Sequence, residues 1–486
     1  MTNMLQAAYS SDNFREQGHL LIDQLADYLE AVRQADTSLN AINYSDPEKA
    51  MQYWKNDLTG AEPGEMQSMF AKALDHSVKL MHSKYMGHQI SPPVPVATLA
   101  GLLGDFLNNG MGVYEMGVSG TTTEQIVVEA VARQLGFSEE AGGFITSGGT
   151  LANLTALLAA RKLKAKDNIW QEGYRGQLAL MVSEEAHYCV DRAARIMGWG
   201  DAGIIKVPVD AQFRMRTDQL DQCYQKALEE GKEVIAVVGS ACTTATGSFD
   251  DLGAIADFCR RHNLWFHVDG AHGAALAFSH KYAATVRGLE KADSVAMDFH
   301  KMLLTPSVTT ALIFRRGGDS YQTFSQQAEY LFNRKEPEWY NLAKRTFECT
   351  KLMIGFKAYS IIRTYGLSLF DEYVTHVCDL GQKLAQLVND TEHMELPVIP
   401  ACNIVCFRYE PPGLDDDRLS NLNERIRQTL LEDGEYYIVQ TRLKGKLYLR
   451  CTLTNPFTTE LELSGLLEKV KQMGDLELER AGSIFK

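Results

Sequence analysis

The chain has 486 residues, more than one simple core accommodates, so two or more packed regions are expected. Hydrophobic residues make up 45% and charged residues 23%, the balance of an ordinary soluble globular protein. The net charge of −14 argues against a nucleic-acid partner and against an anionic membrane surface.

The first residues, MTNMLQAAYSSDNF, carry no basic stretch followed by an apolar one, so no secretory signal is expected. No apolar run approaches the length of a membrane span. Nine cysteines, odd in number and scattered, read as reduced thiols of a cytoplasmic protein, with no disulfide framework and no metal site. Phe14, Leu20, Leu21, Leu25, Tyr28, Leu29 and Val32 recur at helical spacing, and a second helix is predicted over 65–81. Residues 1–80 are thus expected to form a helical segment that packs on another part of the protein or on a second subunit. In HSKYMGHQISPPVPVA (82–97), Pro92, Pro93 and Pro95 exclude regular helix and favour an extended loop of the kind that lines sites. A helix is predicted over 98–108. The run Thr121-Thr122-Thr123-Glu124 then reads as a helix start, with hydroxyls to cap and a carboxylate in the first turn.

From 140 to 315 short apolar runs alternate with helical patterns. Strands are predicted at 143–146, 178–183, 203–207, 234–240, 264–268, 294–297 and 309–314, with helices such as 151–163 and 251–262 between them. Strands apolar throughout and separated by helices imply an α/β fold with a mostly parallel seven-stranded sheet covered on both faces, and ligands at the strands' carboxyl ends. The polar stretch 317–341 is a long loop suited to a lid. A long helix is predicted over 350–373. A smaller α+β unit follows, with strands at 404–409 and 446–453, a helix at 418–433 and a final helix from 458. The expected domains are 1–80, 81–375 and 376–486.

Four segments carry chemistry. In ITSGGTLANLTALLAAR (145–161) a strand ends, two glycines turn the chain and a helix begins. Backbone amides there, with the Ser147 and Thr150 hydroxyls, suit a phosphate, although a plain strand-to-helix turn reads the same way. In LWFHVDGAHGAAL (264–276), Asp269 ends an apolar strand, where an ionised carboxylate needs a cationic partner or neighbouring amides. Gly270 and Ala271 are small enough for a flat ring to lie against them. In SEEAHYCVDRAAR (183–195), His187 follows another strand end, as a packed loop residue or as a site residue. In ADSVAMDFHKMLL (292–304), Lys301 sits between two apolar runs. Partial burial lowers a lysine's pKa and frees the lone pair that condenses with a carbonyl. A phosphate cradle, a carboxylate, small residues, an imidazole and a poised lysine, all at strand ends, meet the requirements of pyridoxal 5′-phosphate.

On these segments, most specifically His267-Val268-Asp269 and His300-Lys301-Met302, with SGGTLANL and AEYLF (328–332) in support, the chain resembles the group II pyridoxal-phosphate-dependent amino-acid decarboxylases. These act on glutamate, 2,4-diaminobutyrate, cysteine sulfinate or aromatic amino acids. The resemblance implies the fold type I, aspartate aminotransferase-like architecture and a homodimer with active sites at the subunit interface. It implies Lys301 as the Schiff-base lysine, Asp269 as partner of the pyridine nitrogen, and His187 and Ala271 on the two ring faces. Ser147, Gly148 and His300 would lie near the phosphate and Thr243 near cofactor and substrate. Tyr330 would protonate the carbanion, and Arg450 would pair with the substrate carboxylate. Two departures fall near the expected specificity region. Gly270-Ala271-His272 stands where the family commonly has Ala-Ala followed by Trp or Tyr, and Gly87-His88-Gln89 where glutamate enzymes have Asn-Gln. A glutamate substrate therefore does not carry over. His88 and His272, if they line the pocket, fit a polar or acidic substrate. An aminotransferase or an aldehyde-lyase on the same fold is the alternative.

Overall fold

A computed structural model of the chain describes residues 3–34, 39–60, 66–324 and 338–484. The chain divides into two compact units. The larger comprises Gln89–Gln382 and Val398–Val405, and the smaller Met1–His88, Lys383–Pro397 and Cys406–Lys486.

The larger unit is built on seven strands: β1 (Gly142–Thr146), β2 (Gln177–Ser183), β3 (Ile204–Val207), β4 (Lys232–Ser240), β5 (Trp265–Asp269), β6 (Ser294–Asp298) and β7 (Thr310–Phe314). Their order is β1-β7-β6-β5-β4-β2-β3. Strands β2 to β6 pair in parallel, and β7 runs antiparallel to both β1 and β6. Every residue of β1, β5, β6 and β7 is buried, which is why these strands read as mostly apolar runs rather than alternating ones. The pleat still sorts side chains by face. Along β5, Trp265 belongs to one apolar cluster, whereas Phe266 and Val268 belong to the other. His267 and Asp269 therefore share the face of Trp265. In the parallel pairing of β5 with β6, His267 stands opposite Ser294.

Three helical expectations are adjusted. Pro95 opens the helix Pro95–Leu107 rather than preceding it, at a position where its missing N–H costs nothing. The helix Val118–Gln134 starts before the threonines, with Gly117 as its uncapped N-cap. The Thr122 and Thr123 hydroxyls accordingly donate back to the carbonyls of Val118 and Ser119, and Glu124 is buried inside the helix. The single helix expected over 350–373 is two, Gly355–Tyr365 and Ser368–Asp390, because Gly366 takes a φ of +73° and ends the first.

The smaller unit holds all but the first two residues of β9 in a four-stranded sheet ordered β10-β11-β9-β8, with β8 (Met394–Glu395), β9 (Ile404–Tyr409), β10 (Val439–Leu443) and β11 (Lys446–Thr452). Strand β10, sequence VQTRL, is polar at its centre and gave no apolar signal. Helices Ser11–Arg33, Asp416–Asp433 and Glu460–Ile484 also belong largely to this unit. Among the described residues no helix is long and apolar enough to cross a membrane. None of the nine cysteines forms a disulfide.

Candidate active site

A cavity of about 440 Å³ lies in the larger unit, at the carboxyl ends of the strands. Ser147, Gly148, His187, Asp269, Ala271, His272, His300 and Lys301 all line it. Two further predicted residues, His88 and Arg450, belong to the smaller unit. There burial, helped by the charges of Arg450 and Arg427, holds the His88 pKa below the usual histidine value. Arg450 is buried in β11. Thr243 does not line the cavity. Its hydroxyl lies 2.8 Å from that of Thr246, which is 2.8 Å from that of Ser248, and the neighbouring Thr244 lines the cavity instead. Tyr330 and the segment AEYLF lie outside the described residues.

The turn after β1 builds one wall. Gly148 takes a φ of +140°, which favours glycine, and serves as N-cap of the helix Gly149–Lys164 without any side-chain hydrogen bond. The first turn of that 16-residue helix thus presents backbone amides, beside the dipole's positive end, to the cavity lined by Gly149, Thr150 and Leu151. A Cβ at Gly149 would lie 3.2 Å from both carboxylate oxygens of Asp298 and 3.6 Å from the Ala271 Cβ. The glycine keeps this corner open. The Ser147 hydroxyl donates to Glu348 Oε1 at 3.2 Å.

His187 caps the helix Tyr188–Ile196, its Nδ1 accepting the Cys189 N–H at 3.3 Å. Burial first, and the Lys301 charge second, depress its pKa against the opposing pull of Asp269 and Asp298, which favours a neutral ring. Asp269 is buried at the end of β5, with Oδ1 accepting the Ala271 N–H at 3.3 Å. Gly270 answers to packing rather than to a ring, since a Cβ there would meet the Ala274 Cβ at 2.5 Å. His272 is buried, 2.8 Å from Asn403 Oδ1 through Nε2.

Lys301 lies on the single turn Phe299–Met302 that follows β6. Its Nζ is 2.9 Å from Oδ2 of Asp298, three residues earlier. The lysine side chain is 23% exposed and the aspartate 2%. Burial alone would lower the lysine's pKa, but the Asp298 carboxylate outweighs it and holds the ammonium above the ordinary value. Asp298 is the site residue that the sequence reading missed, although it stands in the same segment at a spacing that one helical turn brings together. Burial likewise pushes the Asp298 pKa up, while Lys301, His300 and the Thr310 hydroxyl more than reverse this and keep it ionised. His300 accepts the Thr309 N–H on Nδ1 at 3.2 Å, which turns Nε2 toward Asp298 at 3.7 Å.

The sign of this coupling yields an expectation. Only the uncharged amine attacks a carbonyl. Asp298→Asn removes the group that raises the Lys301 pKa and leaves burial, which lowers it. The rate at which the apoprotein fixes an aldehyde on Lys301 should therefore keep its neutral-pH value to lower pH than in the native protein. Borohydride trapping at a series of pH values measures this, and an unshifted profile would show that Asp298 does not set the charge.

Chemically, the cavity offers unpaired helix amides for an anion, a buried carboxylate for a cationic ring atom, a half-buried imidazole and a primary amine. Comparison with known proteins points the same way. Residues 47–410 match the family model of the pyridoxal-dependent decarboxylase conserved domain. The chain is 30% identical over 375 residues to the L-aspartate decarboxylase dtxS4 of Metarhizium robertsii, covering 76% of this chain and 75% of that one. It is 25% identical over 483 residues to the aromatic-L-amino-acid decarboxylase of Bacillus atrophaeus, covering 96% of each. Among solved structures, the glutamate decarboxylase domain of the Vibrio parahaemolyticus diaminobutyrate-pyruvate transaminase and L-2,4-diaminobutyrate decarboxylase superposes with a TM-score of 0.80 at 25% identity, over 93% of this chain and 94% of that one.

Proposed function

The chain belongs to the pyridoxal-dependent decarboxylase family, and from that premise we propose that it removes the α-carboxylate of a polar or acidic L-amino acid, of the aspartate, glutamate or 2,4-diaminobutyrate class. Its cofactor is pyridoxal 5′-phosphate, and the residues of the cavity fit that group. The uncapped amides at Gly149 and Thr150 suit its phosphate, and Gly149 leaves the space that a Cβ would fill. When bound, the cofactor supplies an electron sink for the pair left on Cα as carbon dioxide departs.

The protein's own residues do the rest. Asp269 would hold a proton on the ring nitrogen, and a buried carboxylate at the end of a rigid strand is suited to that. The neutral His187 ring would lie against one face and the Ala271 methyl against the other. Lys301 would carry the cofactor and then yield it to the substrate amine, with Asp298 holding the freed ammonium in place at 2.9 Å.

One observation carries the substrate class. His272, buried in the cavity wall and fixed by Asn403, presents a polar ring where the family commonly has a large aromatic. An apolar substrate side chain packed there would add no hydrogen bond to this buried ring, whereas a carboxylate, amide or amine could add one. A relative that acts on L-aspartate supports the same reading. We also place this chain in a homodimer. The helix Pro95–Leu107 exposes Leu99, Leu102, Leu103 and Phe106, one face at helical spacing, and an apolar stripe of that kind suits a second copy.

A substrate panel tests the proposal. The protein, loaded with pyridoxal phosphate and sized by sedimentation, is given L-aspartate, L-glutamate, L-2,4-diaminobutyrate, cysteine sulfinate, L-ornithine, L-tyrosine and L-DOPA. Carbon dioxide is followed and the amine identified by mass. A polar or acidic amino acid should be preferred. Preference for L-tyrosine or L-DOPA would overturn the substrate class, and a keto acid formed without carbon dioxide would point to transamination.

A further inference from the structure

The face of β5 that ends in Asp269 carries a buried hydrogen-bond chain that the proposed chemistry leaves unused. Trp265 Nε1 is 2.9 Å from Ser294 Oγ, and Ser294 Oγ is 2.9 Å from His267 Nδ1. His267 Nε2 is 2.7 Å from Asn153 Oδ1, and Asn153 Nδ2 is 3.2 Å from Cys189 Sγ. Cys189 Sγ in turn lies 3.9 Å from Asp269 Oδ2. All six side chains are buried. They come from two adjacent strands and from two separate helices, Gly149–Lys164 and Tyr188–Ile196.

The carboxylate end fixes the direction of this chain. An ionised carboxylate only accepts, so Cys189 donates its S–H to Asp269 and accepts from the Asn153 amide. The Asn153 oxygen then faces His267 Nε2, which must donate. At the other end an indole only donates, so Ser294 Oγ accepts from Trp265 and keeps its own proton available for His267 Nδ1. A neutral His267 protonated on Nε2 satisfies the side-chain links, while the Ser294 carbonyl, 3.2 Å from Nδ1, competes with the Ser294 hydroxyl for that nitrogen and would favour a proton there. Burial supports that neutrality by depressing the His267 pKa to about 4. Burial, together with the Asp269 charge, also holds the Cys189 thiol protonated.

We propose that Cys189, oriented by Asn153 and His267, is a positioning residue for Asp269, donating a hydrogen bond that fixes the carboxylate plane from which Asp269 meets the cofactor's ring nitrogen. This rests on the reading of Asp269 as the ring-nitrogen partner. A thiol suits the position because it donates without bringing charge. A cation there would compete with the ring nitrogen for the carboxylate. His187, Cys189 and Asp269 also offer three ligand atoms within 4.8 Å of one another, as a metal would require. A metal needs the thiolate, however, and the arrangement around Sγ favours the thiol.

Two measurements test the proposal, and the first needs no cofactor. The S–H stretching band of Cys189, isolated as the infrared difference between native apoprotein and Cys189→Ala, should lie at the low-wavenumber end of the thiol range. It should move up in Asp269→Asn, whose amide is a weaker acceptor. A band that ignores that substitution would overturn the hydrogen bond, as would a stoichiometric metal in the purified apoprotein that Cys189→Ala loses. The second is cofactor binding. Cys189→Ala should weaken it about threefold to tenfold, the effect of one modest hydrogen bond to a charged group, and reduce the visible circular dichroism of the bound cofactor. Cys189→Ser, which keeps a donor, should return both close to the native values. Equal binding and dichroism in the alanine variant would show that Cys189 only fills space. A positive infrared result with cofactor binding unaltered in Asp269→Asn would instead sink the ring-nitrogen role of Asp269 and leave the hydrogen bond standing.

Discussion

Lys301→Arg is expected to lower carbon dioxide release by about 10³-fold or more while leaving the protein nearly as stable as the native chain. The guanidinium keeps a positive charge for Asp298, which is 2% exposed and cannot be left alone in the interior at small cost. It never offers a neutral amine, so it cannot condense with the cofactor's aldehyde. Lys301→Ala should lose activity to the same degree for the same reason, but it also removes the cation. Among the described residues, the side-chain partners left to Asp298 are then His300, at 3.7 Å, and the Thr310 hydroxyl. An additional loss of about 3 kcal/mol in unfolding free energy should follow. The pair of variants therefore separates chemistry from stability. Borohydride reduction followed by peptide mass analysis completes the test, since the native protein should retain cofactor at residue 301 and neither variant should. Retention at another lysine, or an arginine variant within tenfold of native activity, would remove Lys301 from its role.

How far the sequence alone reached depended on how local each feature is. A strand buried on both faces shows itself as an unbroken apolar run, and a polar residue at its carboxyl end stands out. Asp269, Lys301 and the glycine turn at 147–149 were visible for that reason. Partners that depend on register were not. Nothing in the string places Ser294 opposite His267, because the pairing of β5 with β6 follows from their packing in the sheet. Asn153 and Cys189, 36 residues apart, lie on separate helices and meet only when both pack on the same face. Asp298 was hidden differently. Read as part of an apolar strand it looks like a terminal residue, and its pairing with Lys301 requires the short turn Phe299–Met302. The threonine run at 121–123 was misplaced because hydroxyls that cap a helix and hydroxyls that bond back to the preceding turn look alike in sequence.

The same misplacement conceals the interaction expected to matter most for stability. Glu124, read as a first-turn carboxylate at a helix start, is instead buried, with Lys351 Nζ 2.5 Å from Oε1 and side-chain exposures of 2% and 6%. Lys351 also donates to the carbonyl of Ile145, and Glu124 Oε1 accepts the Ile145 N–H at 3.0 Å. The pair thus grips the end of β1 two residues before Ser147. Burial drives the lysine's pKa down, against the pull of Glu124. Lys351→Met should cost about 3–5 kcal/mol, because an ionised carboxylate is left in the interior with one backbone donor. Lys351→Met combined with Glu124→Gln should recover part of that loss, since the amide carries no charge and its oxygen still accepts from Ile145. A double-mutant cycle by urea unfolding should give a coupling energy of about 1–3 kcal/mol. Additive effects would mean that water or another cation already compensates Glu124 when the lysine is gone. Because Ile145 leads directly into the Ser147–Gly149 turn, the single variant should also bind pyridoxal phosphate more weakly, and the double variant less so. Recovery of binding alongside stability would tie the buried pair to the geometry of the phosphate cradle, whereas recovery of stability alone would confine its effect to the fold.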